Sequence, residues 1–107
     1  PIPEALRVPW GDRVYGCDDC LEACPPGQKW LEDAAGTAAG RVDLREVLEA
    51  SDEELLKTYG HFYIPRRNPI YLRRNALVAL GNSPGEGAVD LAIRYLHHTD
   101  PLLRAHA

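Results

Sequence analysis

The chain has 107 residues, of which 45% are hydrophobic and 26% charged, and this balance fits one small folded domain. It contains no apolar run of the ~18 residues that a membrane span needs and no basic leader before an apolar stretch, so neither a membrane protein nor a secreted one is indicated. The net charge of −4 combines −7 in residues 1–58 (6 basic, 13 acidic) with +3 in residues 59–107 (6 basic, 3 acidic), a split that fits two partners or two solvated surfaces.

The first 41 residues are predicted to be irregular. Three prolines and a glycine in residues 1–13 favour extended chain, and residues 14–24 leave room for one short helical turn. Pro25-Pro26-Gly27 is typical of a turn, so we expect a loop from there to Arg41. A loop of that length is unusual in a compact domain unless it has a function or a partner.

Helical signals follow from residue 43 onward. Asp43 and Ser51 are predicted N-caps, because each is followed three residues later by a glutamate, the spacing of a capping box. Gly60 is the predicted end of the second of these helices. No stretch shows the alternation of a strand, so residues 42–107 are predicted to form a helical domain. Three further helices complete it: one from Asn68-Pro69 to Gly81-Asn82, one over about residues 87–98, and one capped by Asp100-Pro101.

Two short segments resemble each other at a distance of 31 residues. Leu72-Arg73-Arg74-Asn75-Ala76 and Leu103-Arg104-Ala105-His106-Ala107 share the leucine, the first arginine and the final alanine. The period holds a pair of short helices and favours a helical solenoid, although chance similarity of two amphipathic helices explains it equally well. So few repeats cannot bury a complete face of a solenoid, and the chain has no Met. We therefore expect a piece of a longer protein.

Three cysteines, Cys17, Cys20 and Cys24, lie within eight residues and are followed by Pro25. The pattern C-x2-C-x3-C-P matches the last part of the bacterial ferredoxin run C-x2-C-x2-C-x3-C-P, whose thiolates bind iron and whose final Cys ligates the other cluster of a pair. Cys17 and Cys20 are therefore predicted to bind one 4Fe–4S cluster and Cys24 a second. Val14 stands where the run has its first cysteine, so this chain completes neither ligand set.

Other roles for these thiols stay open. A zinc site would combine the C-x2-C pair with Cys24 or a histidine, but the nearest histidine in the sequence, His61, is distant. A redox disulfide between Cys17 and Cys20 would be expected within a βαβ pattern, which the sequence lacks. Three inert thiols are the last alternative. The odd number and the clustering favour metal binding in a reducing compartment.

Residues 66–74 form a basic patch around a predicted helix start. Arginine binds phosphate with two donors, and a helix N-terminus adds a favourable dipole. Tyr71, or nearby Tyr63, is placed to stack on an unpaired base. Contact with RNA is therefore predicted, and internal pairing of the last two arginines with acids of a neighbouring helix is the alternative. The predicted RNA-binding residues are Arg66, Arg67, Tyr71, Arg73 and Arg74.

Several runs resemble the epoxyqueuosine reductases. Pro3-Glu4-Ala5-Leu6-Arg7, the run from Gly11 to Cys20, and Cys24-Pro25 are similar to the second cluster motif of that family. Residues 72–77 and 79–82 are similar to its helical part. The resemblance implies a mainly α fold, with a partial ferredoxin-like iron–sulfur segment in irregular N-terminal loops over residues 1–41. Residues 42–107 would then be a truncated HEAT-like helical domain.

The resemblance also implies a function. Members of this family are cytoplasmic enzymes that reduce the epoxide of epoxyqueuosine in tRNA with a cobalamin and two 4Fe–4S clusters. Cobalamin and the catalytic acid lie in an upstream domain, so this C-terminal piece would hold cluster ligands, help dock tRNA and contain no complete active site. Neither DNA nor a membrane is an expected partner.

This sequence departs from the family pattern in two places. Pro25-Pro26-Gly27 stands where the family commonly has Pro-Trp-Asn, and residues 33–40 are unusually rich in Gly and Ala. These differences leave room for a related iron–sulfur or zinc protein of unknown substrate, in which the helical repeats are an interaction scaffold.

Overall fold

The computed structural model describes residues 1–16, 19–34, 41–83 and 85–107. Within those ranges the chain is helical and contains no strand, which confirms the predicted mainly α class. A 3-10 turn covers Pro65–Arg67. The helices are α1 Glu4–Trp10, α2 Asp19–Glu22, α3 Pro25–Ala34, α4 Leu44–Glu49, α5 Asp52–Tyr59, α6 Ile70–Asn82, α7 Ala88–Leu96 and α8 Pro101–Arg104.

The prediction of irregular structure in the N-terminal region is wrong over α1 and α3. Pro9 lies inside α1, which ends one residue later, at Trp10, and Gly11 then turns the chain with φ 68°. Helix α3 begins with Pro25 and Pro26. The first turn of a helix needs no backbone donors, so the two prolines start this helix and do not open a loop. The part of that expected loop over residues 35–40 lies outside the described residues.

The predicted capping residues are confirmed. Ser51 and Glu54 form a complete capping box: the Ser51 hydroxyl accepts from the Glu54 N–H at 3.2 Å, and the Glu54 carboxylate accepts from the Ser51 N–H at 2.8 Å. Asn68 accepts the Ile70 N–H at 3.0 Å, so it caps α6 even though that helix begins at Ile70. Two aspartates cap α4 and α8 with their side chains, Asp43 and Asp100.

Helix α6 is the centre of the fold. It packs against α1, α4, α7 and α8, and Ala76 and Ala79 are fully buried in it. Small side chains at these positions let neighbouring helices approach closely, as dense packing requires. Most of the remaining core comes from aliphatic side chains and one tyrosine of α6 itself and of the surrounding helices: Val47, Leu48, Leu55, Leu77, Leu80, Leu91, Tyr95 and Leu103.

Two polar side chains are buried among the described residues, and both hold the N-terminal segment. The Asn75 amide donates to the Val14 carbonyl at 2.7 Å, and His106 Nε2 accepts from the Ile2 N–H at 3.0 Å. These two residues occupy equivalent positions in the two similar segments of the sequence. The division into units 1–41 and 42–107 stays a prediction, and residues 1–16 make these contacts with the second unit.

Helices long and apolar enough to cross a membrane were sought in the described ranges, and none of them qualifies.

The His106 contact predicts a stability that depends on pH. Its Nδ1 lies 2.6 Å from the Leu102 carbonyl and carries the proton, so Nε2 can accept from Ile2 only while the ring is neutral. Burial lowers the pKa of His106 below its usual 6.5. The unfolded chain therefore takes up the proton first, and the free energy of unfolding should decrease as the pH falls below about 6.5.

Urea unfolding between pH 5 and 8 measures this loss. The His106→Gln variant should lose less stability on acidification than the wild type, whereas His97→Gln, a change at an exposed histidine, should leave the wild-type slope intact. Equal slopes for wild type and His106→Gln would contradict the assignment.

Candidate functional site

The cysteine segment places two thiols at the junction of α2 and α3. Cys20 lies in α2, Cys24 directly precedes α3, and both are exposed and free of disulfide bonds. The Cys24 backbone is used in the junction, since its N–H donates to the Leu21 carbonyl at 3.2 Å and its carbonyl accepts from the Gln28 N–H at 3.0 Å. The backbone is thus fixed while the thiols stay accessible. Cys17 lies outside the described residues.

The donor chemistry of this segment fits a thiolate-bound metal in part. Accessible cysteine sulfurs are the soft ligands that iron–sulfur clusters and zinc use. Three or more His, Cys, Asp or Glu side chains gathered for a metal are not found in the part of the chain that the structure describes. That a cluster here needs Cys17 and ligands from elsewhere stays a prediction of the incomplete motif.

Gly27 sets how closely α3 approaches α2. A Cβ atom built at Gly27 would lie 2.5 Å from the Leu21 carbonyl oxygen and 3.0 Å from the Leu21 Cα, distances too short for any other residue. The Gln28 side chain adds a hydrogen bond of 2.8 Å to the Glu22 carbonyl. Sequence reasoning missed this role because a glycine after two prolines is equally typical of a turn.

The loop that leads into the cysteines is held by side chains of its own. Arg13 donates to the Trp10 carbonyl at 3.0 Å and to the Asp19 carboxylate at 2.8 Å, and the Trp10 indole donates to the Arg13 carbonyl at 2.7 Å. Asp19 is the neighbour of Cys20 in sequence. Arg13 therefore links the described residues on the two sides of Cys17.

Two of the predicted RNA-binding arginines have partners inside the protein. Arg73 pairs with Asp52 and donates to the Ala50 carbonyl at 2.7 Å, and its side chain is only 12% exposed. Arg74 donates two hydrogen bonds to the Asn75 amide oxygen, at 3.0 and 2.7 Å, and burial lowers its pKa. Arg73 thus shows the acidic pairing that the sequence left as the alternative, and the role of both in RNA binding stays a prediction.

The remaining part of the basic patch faces outward. Arg66 and Arg67 are exposed, with φ angles of 55° and 50° in the left-handed region. Arg67 donates to the Gly60 carbonyl at 3.3 Å, and Arg66 forms no ion pair with a residue in the described ranges. Tyr63 is 80% exposed, whereas Tyr71 is half-buried, with the Arg74 guanidinium 5.4 Å from its ring centre.

The close approach at Gly27 generates a mutational prediction. Gly27→Ala should lower the free energy of unfolding by about 1–3 kcal/mol, because the added methyl group forces α3 away from α2. Gly81→Ala is the matched control: Gly81 is exposed within α6, and nothing lies within 4 Å of its Cβ position. That variant should gain about 0.5–1 kcal/mol from reduced backbone entropy. Urea unfolding measures both, and a gain in Gly27→Ala would refute the close approach.

Comparison with curated proteins finds relatives that match almost the whole chain. The chain is 37% identical over 110 residues to an epoxyqueuosine reductase of Salmonella typhimurium and 34% identical over 114 residues to one of Escherichia coli. An uncharacterized protein of Geobacillus stearothermophilus is 27% identical over 112 residues, which cover 99% of this chain and 52% of that protein. No family model matches, and no solved structure matches significantly.

The matches to the two reductases cover 98% of this chain and 29% of each relative. The chain thus spans less than a third of the length of the reductases that it matches. The similarity extends from the N-terminal segment through the cysteine segment to the helical part, and the resemblance expected from the sequence runs is confirmed. Over almost its whole length, this chain is similar to part of the epoxyqueuosine reductases.

Proposed function

We propose that this chain supplies cysteine ligands to the iron–sulfur clusters of an enzyme that reduces epoxyqueuosine. One observation carries the proposal: Cys20 and Cys24 present accessible thiols at a fixed helix junction, in a chain whose relatives are named epoxyqueuosine reductases. When bound, such clusters pass single electrons. Accessible thiolates in a cytoplasmic, reducing setting suit this role.

The residues of this chain divide the task between two clusters. Cys17 and Cys20 bind one 4Fe–4S cluster and Cys24 binds the other, following the division of the ferredoxin run. Helices α2 and α3 pack closely at Gly27, with Cys20 in α2 and Cys24 directly before α3. The remaining ligands, the cobalamin and the catalytic groups are supplied by parts of the enzyme outside this chain.

The helical part contributes a surface for tRNA, centred on the exposed turn of Arg66 and Arg67. A non-glycine residue in the left-handed region costs about 1–2 kcal/mol, and such strain is typical of functional positions. The turn holds two guanidinium groups at the surface, and the exposed ring of Tyr63 precedes Arg66 by three residues in the sequence. Phosphate contacts by the arginines and stacking by the tyrosine are the chemistry that this surface offers.

Metal analysis of the full-length protein tests the cluster role. Protein prepared without oxygen should contain about eight iron atoms and eight acid-labile sulfides per chain, with thiolate-to-iron absorption near about 400 nm. Cys20→Ala and Cys24→Ala should each lose about half of both, because each thiol belongs to a different cluster. The exposed Ala23, between the two thiols, gives the control Ala23→Ser, which should keep the full content.

Two other results of the metal analysis would contradict the assignment of the cysteines to two iron–sulfur clusters. Zinc without sulfide would replace the redox role with a zinc-binding helical scaffold. Equal loss of all iron in both cysteine variants would contradict the division between two clusters.

Replacing Arg66 in the exposed turn by glycine should raise the stability of the protein and weaken its binding to RNA. Arg66→Gly should weaken tRNA binding and make it less dependent on salt, since one phosphate contact is lost, while adding about 1 kcal/mol to the free energy of unfolding by relieving the left-handed strain. Arg66→Ala should weaken binding equally without that gain. Salt-dependent binding assays and urea unfolding of both variants provide the measurement, and unchanged tRNA affinity in both would remove Arg66 from the interface.

A further inference from the structure

Two asparagines of α6 hold the N-terminal segment by its backbone. Asn82 donates to the Arg7 and Gly11 carbonyls, each at 2.7 Å, and so caps the end of α1. Asn75 donates to the Val14 carbonyl at 2.7 Å. The two asparagines are seven residues apart and lie on the same face of the helix, two turns from each other. Helix α6 thus fixes the segment at two successive points on the way to the cysteines.

The orientation of the Asn75 amide is set by its neighbour Arg74. Two N–H groups of the Arg74 guanidinium occupy the Asn75 oxygen, so the amide nitrogen must face the loop. A buried donor needs a partner, and the Val14 carbonyl is the partner that the structure provides. The contact therefore selects one position for the backbone at Val14.

From Val14 the constraint extends to the cysteine segment. Val14 precedes Cys17 by three residues, and its neighbours on both sides are tied down. Arg13 binds Asp19, next to Cys20, at 2.8 Å. The Tyr15 hydroxyl accepts the Tyr63 N–H at 2.9 Å, and its ring stacks on Phe62 with the ring centres 4.4 Å apart.

We propose that Asn75, oriented by Arg74, is a positioning residue for the cluster-binding cysteines, because its amide fixes the backbone at Val14 from which the segment Cys17 to Cys24 departs. The proposal rests on the cluster role proposed above and adds the element that sets where the thiols lie. It also gives the run Leu72-Arg73-Arg74-Asn75-Ala76 a function in the enzyme that differs from RNA contact.

The equivalent position of the second similar segment supports this role independently. There the buried polar residue is His106, which binds the Ile2 backbone. Both similar segments thus use the same position to hold the N-terminal segment, although the side chain and the bonded backbone group differ. The use of this position in both segments indicates that they serve to hold the N-terminal segment.

Two isosteric variants of the full-length protein separate positioning from general stability. Asn75→Asp keeps an oxygen for Arg74 but places a second oxygen against the Val14 carbonyl. Asn82→Asp makes the same chemical change two turns away, at the cap of α1, and is the matched control. Hydrogen exchange of the metal-free protein and electron paramagnetic resonance of the reduced, iron-loaded protein are compared with the wild type.

Asn75→Asp should accelerate exchange of the backbone amides in residues 12–24 by about tenfold, the change expected when a buried hydrogen bond is lost, and should affect residues 3–11 little. Asn82→Asp should do the reverse. Only Asn75→Asp should alter the resonance line shape and midpoint potential of a cluster. Arg74→Gln, which removes the orienting group alone, should act on residues 12–24 in the same direction with a smaller factor and provides the test if Asn75→Asp does not fold.

Equal acceleration over residues 3–24 in both asparagine variants, or an unchanged line shape and potential in Asn75→Asp, would overturn the positioning role. Absence of iron and sulfide from the wild-type protein would instead sink the proposed function. The exchange pattern of the metal-free protein would still decide whether Asn75 fixes this segment.

Discussion

The need to pair a buried amide governs how the N-terminal segment meets α6. Asn75 is 9% exposed and sits in α6, the helix on which α1, α4, α7 and α8 all pack. In this position an amide donor without a partner would cost about 1–3 kcal/mol. The Val14 carbonyl removes that cost only when the loop lies in one register along the helix. Apolar packing holds the helices together, and this polar contact determines where the N-terminal segment lies on them.

The equivalent arginines of the two similar segments both donate hydrogen bonds to backbone carbonyls that follow a helix. Arg73 donates to the Ala50 carbonyl at the end of α4, and Arg104 donates to the His98 and Thr99 carbonyls after α7. The last carbonyls of a helix have no partner within the helix, and basic side chains commonly satisfy them. Part of the basic charge of this half of the chain thus stabilises helix ends. The HEAT-like arrangement of the helices stays a prediction.

Local signals predicted the helices best. Capping by Ser51 and Asp100 depends on residues two or three positions away, so the sequence alone contains it. Prolines misled the prediction of α1 and α3: Pro25 and Pro26 fit the first turn of a helix as well as a loop, and Pro9 lies inside α1 although proline is disfavoured there. The spacing of the cysteines identified the candidate ligands. The roles of Gly27 and Asn75 depend on residues brought together by folding, and a single sequence carries no signal for such pairs.

The separation of the contacting residues along the chain has a consequence for biosynthesis. Asn75 follows Val14 by 61 residues, and His106 follows Ile2 by 104. A ribosome makes the cysteines long before either anchor, and contacts between distant residues form late because closing a long loop is entropically unfavourable. The nascent cysteine segment therefore stays without its anchors until α6 and then α8 have been made. Under the cluster role proposed above, insertion of metal into an ordered site would accordingly follow synthesis of these helices.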